Sequence, residues 1–315
     1  MLYCQSLRGK LKSLNYKQII ESGAEYLLHF LFRGYIVKPI LINAKTLKEN
    51  KIIKLKDEIS KLGRKPKLVI LSASNDKASE NYIRNKIKIG EEVGMVVEVL
   101  KSDCNVTTED MLKTIHQLNH DVKTDGIILQ LPVYEHLNSN TLVRAIAPCK
   151  DADCFSSAKL GDLIQGNSTV KPCTPNGVIN LLECHNVSVQ GKDVVVIGRS
   201  VHVGLSLSIM LTQKGATVTT CHSRTKDLEN KIQKADIVIS CVGQMDLIDP
   251  RWMKKESVLI GVGITVDENF KQQTDYNVNA MLEFSECSMV GDRVNTTGTA
   301  TVLSLIENVV ELAKK

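Results

Sequence analysis

Aromatic residues are scarce in this sequence, at 4% with a single tryptophan, and that scarcity disfavours a base-stacking surface for single-stranded nucleic acid. Cysteine pairing is missing too. Cys4, Cys104, Cys149, Cys154, Cys173, Cys184, Cys221, Cys241 and Cys287 are odd in number and form no C-x-x-C pair and no zinc-ligand spacing. They read as reduced thiols of a reducing compartment, and no metal site is expected. Long hydrophobic runs are also absent. The most apolar early stretch, Tyr26 to Phe32, is too short to cross a bilayer and contains His29. Nor is there strong charge of either sign: a net +5 suits an anionic small ligand at least as well as DNA. Neither a nucleic acid nor a membrane is therefore expected as a partner. The expected location is the cytoplasm, with the mitochondrial matrix as the alternative.

What is present is ordinary for a globular enzyme: 43% hydrophobic and 24% charged residues in 315, a length that predicts two domains, each able to bury its own core. The segment before Glu21 carries Arg8, Lys10, Lys12 and Lys17 without an acid. It reads either as a mitochondrial transit peptide or as an accessory N-terminal helix that Glu21 and Glu25 continue.

From Ile40 the chain alternates. Ile40-Leu-Ile42 predicts a short strand and Lys45 to Leu62 an amphipathic helix; Lys67 to Leu71 predicts a buried parallel strand whose loop, Ser72 to Asp76, leads into a helix. A second round predicts a strand at Gly94 to Leu100, a helix at Thr107 to Asn119 behind a capping sequence, and a strand at Gly126 to Gln130. Such alternation predicts a parallel sheet covered by helices, with ligands collecting where strands end. Gln130 arrives at that edge. The prolines and glycine of Lys171-Pro-Cys-Thr-Pro-Asn-Gly177 predict a domain hinge, beyond which a fresh series of strands and helices begins at Asp193.

The helix after Asp76 holds Tyr82 and Lys86, four apart and so on one face. Pattern alone leaves two readings open. One is a solvated surface helix; the other uses Tyr82 as a stacking plate for a flat ligand, and Lys86, partly desolvated, as a proton carrier.

In the second series an apolar strand, Val194 to Ile197, runs into Gly198-Arg199-Ser200-Val-His-Val-Gly204 and then a helix. Free N–H groups at a helix start suit a pyrophosphate, although the G-x-G-x-x-G spelling is absent and the glycines could serve the turn alone. The next strand ends at Ser223 and Arg224 where an acid would favour NAD, so these residues with Arg199 favour the 2'-phosphate of NADP. Two further strands end near Gly243 and Gly263-Ile264, where close approach to a nicotinamide is possible.

The ordered series Ala78-Ser79-x-x-Tyr82-x-x-x-Lys86, Asp125-Gly126 through Gln130-Leu131-Pro132, Lys150-Asp151-Ala152-Asp153, Pro172-Cys173-Thr174-Pro175, Gly198-Arg199-Ser200-x-x-Val203-Gly204 and His222-Ser223-Arg224-Thr225 closely resembles the methylenetetrahydrofolate dehydrogenase/cyclohydrolase family. The resemblance runs in order from about Ile40 to the C-terminus. It implies an α/β fold of two domains, an N-terminal parallel-sheet catalytic domain and a Rossmann-like NADP-binding domain with a cleft between them. On this reading residues 1–37 are an extension, 38–172 with 299–315 bind folate and carry the chemistry, and 173–298 bind NADP. The implied activities are NADP-dependent oxidation of 5,10-methylenetetrahydrofolate to the methenyl compound and its hydrolysis to 10-formyltetrahydrofolate, in a homodimer. Lys86 is then the general acid/base, Tyr82 stacks on the folate, Gln130 tunes Lys86, Asp153 binds the pterin edge and Gly298 lies at the substrate. Gly198, Arg199, Ser200, Gly204, Ser223, Arg224, Gly243 and Ile264 hold the cofactor, and His222 is a packing residue.

The chain also departs from the family's pattern. Cys154 stands where glycine is usual, Lys77 and Val133-Tyr134 where proline is common, and Gly261-Val-Gly-Ile-Thr265 where D-V-G-I-N is. Val294-Asn-Thr-Thr-Gly-Thr-Ala-Thr301 replaces a P-G-G-V-G-P-M-T loop near both ligands. Because a displacement of about 1 Å can cost on the order of a hundredfold in rate, the expected alternatives are a divergent member with only one activity, or a non-catalytic folate- or nucleotide-binding protein.

Overall fold

A computed structural model describes residues 38–266, 272–291 and 296–315. The N-terminal segment, with its transit-peptide and accessory-helix readings, lies outside the described residues. The first half runs β1 (Ile40–Ile42), α1 (Lys45–Ser60), β2 (Lys67–Ser72), α2 (Lys77–Glu92), β3 (Val96–Lys101), α3 (Thr108–His120), β4 (Gly126–Gln130), α4 (Ser139–Ala145), α5 (Ser157–Gln165) and α6 (Cys173–Cys184). The second half runs β5 (Asp193–Ile197), a short π-helical turn (Val201–Leu205), α7 (Ser206–Gln213), β6 (Thr217–Cys221), α8 (Leu228–Lys234), β7 (Ile237–Ser240), β8 (Val258–Gly261), β9 (Thr265–Val266), β10 (Gln272–Gln273), α9 (Val278–Phe284), β11 (Met289–Gly291) and α10 (Gly298–Leu312). Among the described residues no helix is long and apolar enough to cross a membrane.

A three-stranded parallel sheet has the order β3-β2-β4, and a six-stranded parallel sheet the order β1-β11-β8-β7-β5-β6. Their strands carry continuous apolar runs because helices cover both faces: Leu68 to Leu71, Ile127 to Leu129 and Val194 to Ile197 are all buried. Strand order reverses direction between β2 and β4 in one sheet and between β5 and β7 in the other. The carboxyl ends at those reversals are where open α/β sheets bind ligands.

Three local expectations change. Ile40–Ile42 does not join the first sheet; it pairs in parallel with β11 at the edge of the second, Ile40 opposite Met289 and Ile42 opposite Gly291. Gly94, expected to open a strand, instead follows α2 with φ +96°, and β3 starts at Val96. The stretch Lys171–Gly177, expected to break the chain as a hinge, is helical from Cys173. Pro172 caps α6, and Pro175 sits within its first turn, where a missing N–H costs no helical hydrogen bond. Gly177 is there for packing, since a Cβ on it would lie 2.8 Å from the Ala300 carbonyl carbon of α10.

Helix α10 joins the halves. It packs against α6, α1 and α2, burying Val302, Leu303, Leu305, Ile306, Val309 and Val310. One continuous apolar core contains Leu68 and Ile70 of β2, Val178 and Leu182 of α6, Val196 of β5 and Ile306 of α10. Asn308 of α10 adds polar ties, donating from Nδ2 to the carbonyls of Ala152 at 2.8 Å and Lys171 at 2.7 Å.

Candidate active site

Helix α2 starts at the end of β2 behind Asp76, whose carboxylate accepts the Ser79 N–H at 2.7 Å and is held below the usual carboxylate range chiefly by its bond to Ser79. The buried face of α2 carries Ser79, Ile83, Lys86, Ile89 and Gly90. Lys86 therefore points inward, 5% exposed, and the solvated-surface reading of the pair does not hold. Its Nζ donates to Gln130 Oε1 at 2.9 Å and sits 4.9 Å from the centre of the Tyr82 ring. Gln130, at the carboxyl end of β4, gives its own N–H to the Leu131 carbonyl at 2.8 Å, which fixes its oxygen toward the amine.

The Lys150-Asp-Ala-Asp153 segment lies beside β4, bridging Asp151 to Ile127. Its polar residues divide the work. Lys150 donates to the Leu118 carbonyl at 2.7 Å and the Asp121 carbonyl at 2.5 Å, while Asp151 accepts the Ser156 N–H at 2.7 Å at the start of α5. Asp153 is left to line a cavity with Lys86, Tyr82, Gln130 and Phe155. Burial pushes the Lys86 ammonium below its ordinary pKa, against the pull of Asp153. Burial also pushes the Asp153 carboxyl up, and Lys86 pulls it back. Each group thus partly sustains the other's charge in a site that disfavours both. Cys173, beside them, is pushed far up by burial, and its thiol donates to the Ala152 carbonyl at 3.4 Å. It is no nucleophile.

This cavity, of about 160 Å³, adjoins a larger one of about 470 Å³, and Tyr82, Gln130, Leu131, Thr174 and Thr301 line both. The larger reaches Gly298 at the start of α10, Val203 in the π-helical turn after β5, and Val262 and Ile264 in the loop leaving β8. The cleft is thus walled by both sheets' carboxyl ends, and its size suits a substrate-sized ligand. Of the altered loop, Val294 and Asn295 lie outside the described residues. Thr296 and Thr297 are buried, donating to the Ile42 and Gly261 carbonyls at 2.9 and 3.0 Å.

The turn after β5 is drawn tight: a Cβ on Gly204 would lie 2.1 Å from the Gly198 carbonyl oxygen. Arg199, Ser200, Ser223 and Arg224 are exposed, and neither arginine is paired with a carboxylate among the described residues. His222 braces the second turn, donating its N–H to Thr225 Oγ1 at 2.8 Å and accepting the Arg224 N–H at Nδ1 at 3.1 Å. A closely approachable backbone turn beside unpaired cations fits a dinucleotide carrying an extra phosphate.

Two residues here carry no signal in the sequence. Phe155 lines the Lys86 cavity, and His202, in the π-helical turn, packs its ring 3.9 Å from that of Phe155. His202 Nδ1 is buried without a hydrogen-bond partner, and burial lowers the pKa of the ring against the pull of Asp153. A lone histidine between valines could have been found only by the tertiary contact.

Comparison with known proteins agrees with this geometry. Family descriptions match in tandem: the catalytic domain of tetrahydrofolate dehydrogenase/cyclohydrolase over residues 42–153 and its NAD(P)-binding domain over 172–315. The bifunctional protein FolD of Mycoplasma capricolum is 41% identical over 253 residues, covering 80% of this chain and 88% of its own. FolD of Brevibacillus brevis is 38% identical over 258 residues, covering 82% and 90%. Among solved structures, the FolD dehydrogenase/cyclohydrolase of Campylobacter jejuni superposes with a TM-score of 0.82 at 32% identity, covering 87% of this chain and 98% of its own. The Trypanosoma brucei enzyme, complexed with NADP and an inhibitor, gives 0.82 at 28% identity, covering 88% and 98%.

Proposed function

Because the chain belongs to the tetrahydrofolate dehydrogenase/cyclohydrolase family, we propose that it oxidises 5,10-methylenetetrahydrofolate with NADP and hydrolyses the methenyl product to 10-formyltetrahydrofolate. The observation that carries this reading is the buried Lys86 amine, held by Gln130, set over Tyr82 and sharing a cavity with Asp153.

The folate ring stacks on Tyr82, and the Asp153 carboxylate accepts N–H donors from the pterin edge. Hydrolysis adds water to the methenyl carbon. Neutral Lys86 accepts a proton from that water, and its ammonium returns one to N5 as the carbon–N5 bond breaks, leaving the formyl group on N10 and one net proton released. A cationic methenyl group beside Lys86 disfavours a second positive charge, as burial already does. When bound, NADP supplies the hydride acceptor for the oxidation. Arg199, Ser200, Ser223 and Arg224 are assigned to its phosphates, Gly198 and Gly204 to the turn that approaches it, and Gly243 and Ile264 to the wall beside the nicotinamide. The reading extends to a homodimer through the six-stranded sheet, supported by β6, which has no second neighbouring strand among the described residues. Light scattering should give twice the chain mass.

A second reading keeps only the hydrolysis. It draws on the threonines that replace glycine and proline near the cleft and on Cys154, which holds φ +61° right after Asp153. Two assays decide. Purified protein with methylenetetrahydrofolate and NADP should raise the methenyl absorbance, and methenyltetrahydrofolate alone should lose it. Loss without gain supports the second reading, and neither change refutes both.

A further inference from the structure

Behind the nicotinamide wall lies a carboxylate that no sequence pattern marked. Asp275, fully buried, follows β10. Its Oδ2 accepts the Ser240 hydroxyl at 2.5 Å and the Val242 N–H at 3.1 Å, and its Oδ1 accepts the Gln244 N–H at 2.7 Å. Its backbone carbonyl accepts the N–H of Leu247 at 2.9 Å and of Ile248 at 3.4 Å. One residue thus gathers both ends of the loop leaving β7.

The same residue presses that loop against the one leaving β8. The Ser240 carbonyl accepts the N–H of Val262 at 2.7 Å and of Gly263 at 3.1 Å. A Cβ on Gly263 would lie 2.5 Å from each Asp275 carboxylate oxygen and 2.3 Å from the Gly243 nitrogen. Gly243 has φ +72°, and a Cβ there would lie 2.4 Å from the Ile264 carbonyl oxygen. Both contacts admit only glycine. Ile264, carried on the outer side of this junction, is 42% exposed and lines the cleft. The Asp275 carboxylate therefore sets the spacing of the two loops without itself lining the cleft.

We propose that Asp275 is a positioning residue for the oxidation alone: by tying the Val242–Gln244 loop to Gly263 it fixes the wall against which the nicotinamide lies. The inference rests on the NADP-dependent reading above. Its mark is selectivity. Lys86, Tyr82, Gln130 and Asp153 are carried by the other half of the molecule, on α2, β4 and the segment beside β4, so hydrolysis should not depend on Asp275.

Asp275→Asn keeps the shape but turns an amide N–H toward the donors of Ser240 and Val242, leaving a buried N–H unpaired. Ser240→Ala removes only the hydroxyl donor and serves should the first variant fail to fold. For each, kcat and KM for NADP, NADP affinity by calorimetry, the cyclohydrolase rate without NADP, and the thermal midpoint are measured. A loop displaced by about 1 Å predicts a fall in dehydrogenase kcat/KM on the order of a hundredfold for Asp275→Asn, smaller for Ser240→Ala. NADP affinity should weaken, with cyclohydrolase unchanged within about twofold. Parallel loss of both activities along with the thermal midpoint, or no change in either activity, overturns the proposal. A wild type that turns over neither folate refutes the functional reading instead. The affinities then decide: weaker NADP binding by the variants supports the proposal, while equal binding, or none by the wild type, overturns it.

Discussion

Lys86 is charged only at a cost, because burial opposes its ammonium. For a lysine whose folded pKa lies below its unfolded value of about 10.4, the unfolded chain holds more protons between the two values, so stability rises with pH across that window. The wild type should gain stability on going up toward about pH 10, and Lys86→Met should lose that slope. Urea titrations at several pH values check this. Because hydrolysis uses the neutral amine, its rate should rise with pH and level off below the ordinary lysine value. Lys86→Met should cut it by about 10²- to 10⁴-fold with the fold retained. Arg224, exposed and without a carboxylate partner among the described residues, makes a separate prediction. A charge-assisted bond to a phosphate is worth about 1.5–3 kcal/mol, so Arg224→Ala should raise KM for NADP roughly tenfold to a hundredfold and narrow the preference over NAD. Steady-state kinetics with both nucleotides test it.

At the scale of elements, α6 and α10 are held as close as their backbones permit. Gly177→Ala would drive a methyl to 2.8 Å from the Ala300 carbonyl carbon and should destabilise by about 1–3 kcal/mol. The same shift would move Gly298 and Thr301 at the cleft, so both activities should fall along with the denaturation midpoint. That contact also marks where sequence reasoning stopped. The α2 helix and the shared face of Tyr82 and Lys86 were legible because their signals are local, a short polar loop and then residues four apart, whereas pattern left open whether that face turns inward, which only the packing decides. Gln130 was legible as a strand end. Gly177 was misread because a glycine near prolines looks like a turn, and only the approach of a helix more than a hundred residues onward reveals its use. Cys154 stood out as a departure where glycine is usual, and its φ of +61° supplies the reason. Asp275 and His202 were silent, since a buried carboxylate serving distant N–H groups and a histidine meeting Phe155 leave no periodicity behind.

For the whole molecule, one apolar core spans both sheets, which predicts a single cooperative transition and not two. Trp252, the sole tryptophan, lies between β7 and β8. Its fluorescence reports on the nucleotide-binding half, whereas far-ultraviolet circular dichroism reports on all helices; the two curves should coincide. NADP at about a hundred times its Kd should shift both together, by about 2.7 kcal/mol.

The pairing of β1 with β11 bears on how the protein is made. Ile40 is made before β2 to β10 and Met289 after them, so the edge strand has no mate until all the strands between have been translated. Helix α10, which covers the first sheet's helices, emerges later still. Neither half can mature co-translationally as an independent unit, and a message truncated before Met289 yields a chain with both an unpaired strand and an uncovered apolar face.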